Sequence, residues 1–419
     1  MKIKLYGGTQ EIGGSCIEVD TEYCKIALDY GIKIDEEIKR QLPTDFDAVV
    51  ISHAHLDHSG SLLNLTKQKP VIIGSKMTRE VTMDLLLDMI KIQTLKKKIY
   101  SHDYQDVEII RRNWSSRNSV ALPGMEINLY SAGHVAGAKM THVKSEGKHI
   151  LYTGDFCVHS SEILDGCDIT KLPKKPDALI TESTYGGKIR EDRTKLVDKF
   201  FEKIRSTIER KGNILIPTFA FHRSQEMAIR IDQAMKKGLI PLYKVYTISP
   251  LAKRITGYFN ENKDYFRKEI QQQEKPFKYK HVKHLFRTTQ IREPAIVICT
   301  SGFGHAGASL HLLAEWASNQ NDSVIITSGY LPPDSPLTHA KEDRVFNYKG
   351  NTIDVKAEVE QIELSGHADQ NELIQLVESV KPKKTILVHG NLDQAQILSD
   401  KISKITEVFI PERNESITI

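Results

Sequence analysis

The sequence predicts an α/β fold in which a helix-rich insert interrupts one strand-rich domain, and three observations carry this. Short β-branched or alternating segments, each bounded by turn residues, fill the first half at 3–6, 15–19, 25–28, 48–51, 151–153 and 178–181. From about Arg193 amphipathic helical segments alternate with apolar strands, the texture of a parallel sheet with covering helices. After about Asn351 the strand-rich texture returns. The expected organisation is therefore a first domain part at 1–192, an insert at 193–350, and a second domain part at 351–419.

Each element follows from local pattern. Residues 78–98 carry apolar positions at helical spacing and end in Lys96-Lys97-Lys98, a basic run suited to the negative end of a helix. In the insert, 195–211 and 224–237 read as amphipathic helices, and 213–217 and 242–247 as strands. Residues 271–283 are charged and weakly periodic, which predicts a solvated loop or ragged helix. Buried-type strands at 295–300 and 323–327 flank a helix at 310–317. The closing segment offers a strand at 359–364, a helix at 370–380 and a strand at 385–388.

A chain of 419 residues with 40% hydrophobic content can bury a large core. Its net charge of +4 is too small to mark a nucleic-acid binder by itself, so any phosphate-binding surface must be local. The five cysteines, Cys16, Cys24, Cys157, Cys167 and Cys299, form no CxxC pair and read as free thiols of a reducing cytosol. Met1 leads straight into an alternating strand, which leaves no room for a signal peptide. No apolar run is long enough to span a bilayer, so the expectation is a cytoplasmic protein with no membrane partner.

The central signal is Ser52-His53-Ala54-His55-Leu56-Asp57-His58-Ser59-Gly60, directly after the apolar strand at 48–51. Three imidazoles and a carboxylate in so short a run suit a divalent metal, and this donor mix favours zinc over calcium or magnesium. At a strand end, His53 and His55 can converge on one ion while Asp57 and His58 turn toward a second. His134, Asp155 and His389 also follow apolar runs and adjoin glycines. Taken singly, each reads equally well as an ordinary polar residue. Together they supply what a pair of four-coordinate sites still needs.

HAHLDHSG, GHVAGA, TGDF and Leu28-Asp29-Tyr30-Gly31 resemble the ordered motifs of the metallo-β-lactamase superfamily. The rest is similar to its β-CASP branch, ribonucleases of the RNase J-like and cleavage-and-polyadenylation-factor-like type. The matching segments are Thr181-Glu182-Ser183-Thr184-Tyr185-Gly186, Leu364-Ser365-Gly366-His367-Ala368-Asp369 and Val388-His389-Gly390. In the insert they are Ile216-Pro217-Thr218-Phe219-Ala220, Arg223-Ser224-Gln225-Glu226 and Ser249-Pro250-Leu251-Ala252. The resemblance covers essentially the whole chain. It implies an αββα sandwich with an inserted α/β β-CASP domain, and two Zn2+ ions per chain. One would be held by His53, His55 and His134, the other by Asp57, His58 and His389, with Asp155 bridging. Asp29 would orient a ligand histidine, while Glu182 and His367 would face the substrate. The departures lie in the insert: Ser301-Gly302-Phe303-Gly304-His305 replaces a Gly-Met turn, His222 precedes Arg223, and Asp334-Ser335-Pro336-Leu337 stands for Gly-Thr-Leu-Gly. They bear on the substrate groove and touch no expected ligand.

The implied chemistry is phosphodiester hydrolysis of single-stranded RNA to 5′-phosphate and 3′-hydroxyl ends, with His367 supported by Glu182 protonating the leaving 3′-oxygen. Three rivals stand beside it. The insert argues against a small-molecule hydrolase, and the retained ligand set against a non-catalytic RNA-processing scaffold. A DNA nuclease of the same branch usually lacks histidine in the last motif, so His389 favours RNA. With no appended RNA-binding domain visible, substrate contacts are expected from a cleft beside the insert. The candidates are Arg223, Lys253, Arg254, the 301–309 turn, and Ser365 with Gly366; the basic residues read equally as solvated surface charges. Gly366 could shape a pocket for a terminal 5′-phosphate, as in 5′-to-3′ exonucleases of the branch, or simply permit the turn that places His367. Exonuclease and endonuclease modes both stay open, as does a homodimer.

Overall fold

The computed structural model describes residues 1–33, 40–95 and 101–419. The chain packs as two units, Met1–Ile189 with Gly366–Ile419, and Arg190–Ser365.

The first unit is built on two seven-stranded sheets. One runs Ser416–Thr418, Lys2–Gly7, Cys16–Asp20, Lys25–Leu28, Ala48–Val50, Val71–Ile73 and Trp114–Ser115 in spatial order. The other runs Glu407–Phe409, Lys384–Val388, Ala178–Glu182, Lys148–Tyr152, Lys139–Ser145, Met125–Ser131 and Ser119–Leu122. Period-two alternation decides what each strand buries. Ile3, Leu5, Ile17, Val19, Ile26, Leu28 and Val50 from the first sheet meet Ile127, Val143, Ile150, Tyr152, Ile180 and Ile386 from the second in one core. The opposite face of the first sheet, with Ala27, Val49 and Ile72, packs under Met83, Leu86 and Ile90 of helix Lys76–Leu95. On the second sheet, helix Leu392–Ile402 lies against Lys384–Val388 and Glu407–Phe409 and beside helix Gln370–Val380. The result is the expected helix–sheet–sheet–helix sandwich. The Lys96-Lys97-Lys98 run expected to end the long helix lies outside the described residues.

The second unit carries a six-stranded sheet in the order Val282–His284, Lys244–Ile248, Ala295–Cys299, Ile214–Pro217, Ser323–Ile326, Glu358–Gln361. Every pairing in it is parallel. Parallel strands are buried on both faces, which explains their near-continuous apolar runs. Ile214, Ile216, Ile296 and Ile298 face Phe200, Ile204, Met227 and Ile231 of helices Arg193–Glu209 and Arg223–Lys236. Leu215, Val297 and Val324 face Leu312, Leu313 and Trp316 of helix Gly307–Trp316.

Two differences from the sequence reading have clear causes. Residues 282–284 form an edge strand rather than a loop, paired in register with Val245, Tyr246 and Thr247. Buried Phe277 and Val282 anchor it, and the charges around them mask its pattern. Sequence texture draws the second boundary at 350/351, whereas packing draws it at 365/366. Glu358–Gln361 pairs with Ser323–Ile326 and so completes the insert's sheet.

Leu28, fully buried between the two sheets, is the last strand residue before Asp29. Leu28→Ala should cost about 2–5 kcal/mol, read as a lower urea midpoint at unchanged slope. A cost under about 1 kcal/mol would mean that the sheets do not share this core.

Candidate metal centre

The site is assembled where strands end. Asp29 follows Lys25–Leu28, the His53–His58 loop follows Ala48–Val50, Asp155 follows Lys148–Tyr152, Glu182 ends Ala178–Glu182, and His389 follows Lys384–Val388. Asp29 and His389 both adopt left-handed backbone, at φ of 59° and 48°. Such conformations cost about 1–3 kcal/mol and cluster at functional sites. Gly31 admits the ligand loop at close quarters, since a Cβ there would lie 1.8 Å from the Asp57 carbonyl oxygen.

All seven expected ligands converge. Donor atoms of His53, His55, His134 and Asp155 lie within 4.8 Å of one another, as do those of Asp57, His58 and His389. Asp155 stands between the two groups. Its Oδ2 is 3.6 Å from His53 Nε2, 3.7 Å from His134 Nε2 and 3.3 Å from His58 Nε2, and its Oδ1 is 3.4 Å from His389 Nδ1. His389 Nε2 approaches Asp57 Oδ2 at 3.2 Å.

Behind this cluster, Asp29 is completely buried. It accepts from Ser52 N at 2.6 Å, Ser52 Oγ at 2.7 Å, Tyr152 Oη at 2.6 Å and His58 Nδ1 at 2.7 Å. His134 Nδ1 lies 2.7 Å from the Gly366 carbonyl oxygen, and Thr184 Oγ1 lies 3.1 Å from His389 Nδ1. The sequence reading missed Ser52, Tyr152 and Thr184. Ser52 adjoins the first ligand and Tyr152 precedes Thr-Gly-Asp, but a hydroxyl beside a motif has no pattern of its own.

The electrostatics are those of a cation site. Burial, reinforced by neighbouring imidazoles, pushes His53 and His134 well below the ordinary histidine range and His55 down to about 4. Burial also opposes charge on His58, but the carboxylates of Asp155, Asp57 and Asp29 outweigh it and raise its pKa well above normal. Asp57 and Asp155 are likewise held low by histidines despite burial. Three imidazoles thus stay neutral, the form that ligates metal. Two buried atoms at the centre, His58 Nε2 and Asp155 Oδ1, have no hydrogen-bond partner among the described residues. Buried polar atoms are almost always satisfied, so the donor set fits metal ions that would complete both.

Next to the ligands, His367 Nδ1 bonds to Glu182 Oε2 at 2.8 Å and lies 3.9 Å from Asp155 Oδ2. The other Glu182 oxygen accepts from Phe156 N at 2.8 Å. Within the second unit, Arg223 is engaged by the buried Glu226, which Arg193 and Arg230 also approach. Three cations around it hold that carboxyl well below its usual range despite burial. Ser301 Oγ exchanges hydrogen bonds with the backbone of Ala306, closing its turn on itself. Ser365 is buried, and its carbonyl oxygen accepts from Arg190.

Comparison with known families agrees with this arrangement. Residues 23–198 match the model of the metallo-beta-lactamase superfamily, 224–335 that of the Beta-Casp domain, and 352–411 that of the Zn-dependent metallo-hydrolase RNA specificity domain. Over 440 residues the chain is 32% identical to a probable RNase MJ4 of Methanocaldococcus jannaschii, with all of both chains covered. The chain belongs to the β-CASP nucleases of the metallo-β-lactamase superfamily. This family member is a metal-dependent hydrolase. It is also 30% identical to Integrator complex subunit 11 of Danio rerio, over its whole length and 74% of that protein. The identity is again 30% with cleavage and polyadenylation specificity factor 73 of Drosophila melanogaster, over 94% of this chain and 60% of the relative. A crystal structure of an Enterococcus faecalis protein of unknown function shares the fold, with a TM-score of 0.60 at 15% identity over 100% of this chain and 99% of that one. Among the described residues no helix is long and apolar enough to cross a membrane.

Asp155 lies within 3.3–3.7 Å of histidine nitrogens from both ligand groups. Asp155→Ala should therefore lower bound metal relative to wild type and abolish hydrolysis. Unchanged metal content by elemental analysis would rule out the bridging position.

Proposed function

We propose that this protein is a zinc-dependent ribonuclease. It hydrolyses single-stranded RNA to 5′-phosphate and 3′-hydroxyl ends, chiefly as a 5′-to-3′ exonuclease and also by internal cutting. In this reading Met1–Ile189 with Gly366–Ile419 forms the catalytic domain and Arg190–Ser365 the β-CASP insert. The observation that carries the proposal is the pair His367 and Glu182, 2.8 Å apart, beside a two-centre ligand cluster that includes His389.

His53, His55 and His134 would hold one zinc ion and Asp57, His58 and His389 the other, with Asp155 between them. When bound, two such ions supply an activated water at neutral pH and neutralise charge that develops on phosphoryl oxygens. The remaining work falls to the chain itself. Glu182 is fixed from behind by the Phe156 N–H and grips His367 at Nδ1. Nε2 of His367 would then deliver a proton to the leaving 3′-oxygen. Asp29 fixes the His58 ring through Nδ1, so that its Nε2 points at the ligand cluster.

The RNA assignment draws on three supports. The closing segment matches a family model described by RNA specificity, and the full-length relative from M. jannaschii is named a probable RNase. His389 inside the ligand cluster separates this chain from the DNA-directed pattern. The exonuclease reading rests on Gly366, whose carbonyl is pinned by His134. In this reading, backbone N–H groups beside Gly366 would form the pocket for a terminal phosphate.

Two measurements test the proposal. His367→Ala should keep its zinc and its RNA affinity while cleavage slows by about 10²–10⁴-fold, the range for general acid–base catalysis. Loss of a zinc ion would instead make His367 a ligand. With 5′-labelled monophosphorylated RNA, labelled mononucleotide should appear from the earliest time points, and a matched DNA strand should be cut far more slowly. Internal labelled fragments alone would make the enzyme an endonuclease, and equal rates on DNA would overturn the RNA assignment.

A further inference from the structure

Immediately beyond the Asp155 loop, three donors of different type meet outside the centre described above. Cys157 Sγ lies 3.2 Å from His159 Nδ1 and 3.3 Å from its Nε2. His159 Nδ1 lies 3.0 Å from Glu372 Oε1, which also accepts the His159 backbone N–H at 2.7 Å. One ligand atom from each of the three residues falls within a 4.8 Å span. The thiol is buried, whereas the His159 side chain is 27% exposed, so an ion and a completing water can reach the trio.

The geometry points to a separate zinc site formed by Cys157, His159 and Glu372. A tetrahedral ion with bonds of about 2.0–2.3 Å sets its ligands about 3.3–3.7 Å apart. The observed separations fall just short of that, as expected of donors now linked through protons that an ion would displace. Thiolate with imidazole selects a borderline ion such as zinc over magnesium or calcium, and one carboxylate does not reverse that preference.

Glu372 already has a local task. It forms a capping box with Asp369, the Glu372 N–H reaching Asp369 Oδ1 at 3.1 Å and the Asp369 N–H reaching Glu372 Oε2 at 3.1 Å. That box uses one carboxylate oxygen and leaves Oε1 directed at His159. A capped helix needs no histidine, and a histidine bonded to a carboxylate needs no thiol. Convergence of all three is the observation that asks for an ion.

The site would tie together two stretches that the centre depends on. Cys157 follows Asp155 and Phe156, whose N–H holds Glu182. Glu372 sits in the first turn of the helix that begins just after His367. An ion here would therefore clamp the Asp155 loop to the segment that carries His367.

Cobalt titration of the metal-free protein separates this site from the binuclear centre, because that centre contains no sulfur. Wild type should develop a thiolate-to-cobalt charge-transfer band, and elemental analysis should find one further equivalent of zinc beyond the binuclear pair. Cys157→Ser should lose both, and His159→Gln should lose or markedly weaken both. Asp155→Ala should keep the band while losing metal from the centre. A wild-type protein with no band at saturating cobalt would refute the site. So would an undiminished band in Cys157→Ser, which would assign the sulfur to another cysteine.

Discussion

A fully buried carboxylate holds the centre together. An ion taken out of water costs several kcal/mol unless hydrogen bonds replace its hydration. Asp29 receives four donors, from Ser52 N, Ser52 Oγ, Tyr152 Oη and His58 Nδ1. They come from different places: Ser52 and His58 from the ligand loop of the first sheet, and Tyr152 from the second sheet. One charge thus fastens the two sheets to the segment carrying His53, His55, Asp57 and His58. Burial and the Asp29 charge in turn hold the Tyr152 phenol far above its ordinary pKa, so it remains a donor. Removing any of the four would leave a buried charge short of a partner, a larger loss than a surface hydrogen bond.

The ligand cluster in front of Asp29 is built against its own stability as an apoprotein. His53, His55 and His134 resist protonation because they are buried beside one another, while Asp57 and Asp155 stay ionised. Like-type rings are packed closely, with His53 and His58 centroids 4.2 Å apart. Two buried atoms of the cluster have no hydrogen-bond partner among the described residues. The chain gains ion pairing between His58 and the carboxylates, but nothing from burying three neutral imidazoles side by side. The arrangement becomes favourable when cations supply the missing charge, which is why the cluster sits at strand ends, where loops approach without disturbing the core.

Much of this was legible in the sequence because metal ligation leaves dense local signatures. HAHLDHSG packs four of the candidate ligands into one loop, and His134, Asp155 and His389 each follow an apolar strand. The individual strands followed from alternation, the two-sheet sandwich from the family resemblance, and the insert's parallel sheet from apolar runs alternating with helices. What was hidden depends on contacts between distant residues. Tyr152 reaches Asp29 across 123 positions, and a tyrosine in a strand reads as core. The edge strand at 282–284 is masked by lysines, since an edge needs only one apolar anchor. Arg223 read as a free cation, whereas the buried Glu226 that engages it lies one helical turn away. Cys157 read as an inert thiol because His159 offers no CxxC-like signal and Glu372 lies 213 residues from that histidine.

Ring orientation shows how such separated pieces are made to agree. A histidine ligates through one nitrogen, and the partner of the other nitrogen selects which. His53 Nδ1 faces Ser52 Oγ at 3.0 Å, His58 Nδ1 faces Asp29, and His134 Nδ1 faces the Gly366 carbonyl. Each of these rings therefore turns Nε2 toward Asp155. Two rings differ: His389 approaches Asp155 through Nδ1, and His55 Nδ1 lies 2.9 Å from His53 Nε2 and 3.4 Å from His134 Nε2, so this ring enters the group from the opposite edge. The partners come from a ligand-loop hydroxyl, a buried carboxylate and a backbone carbonyl 232 residues away from its histidine. That last partner begins the segment by which the chain re-enters the first unit after the insert. The orientation of an early ligand is thus set by a residue that folds into place only once the insert has been traversed, and the same short segment delivers His367 to Glu182. The His134 ring orientation and the His367–Glu182 hydrogen bond thus both draw on one chain return.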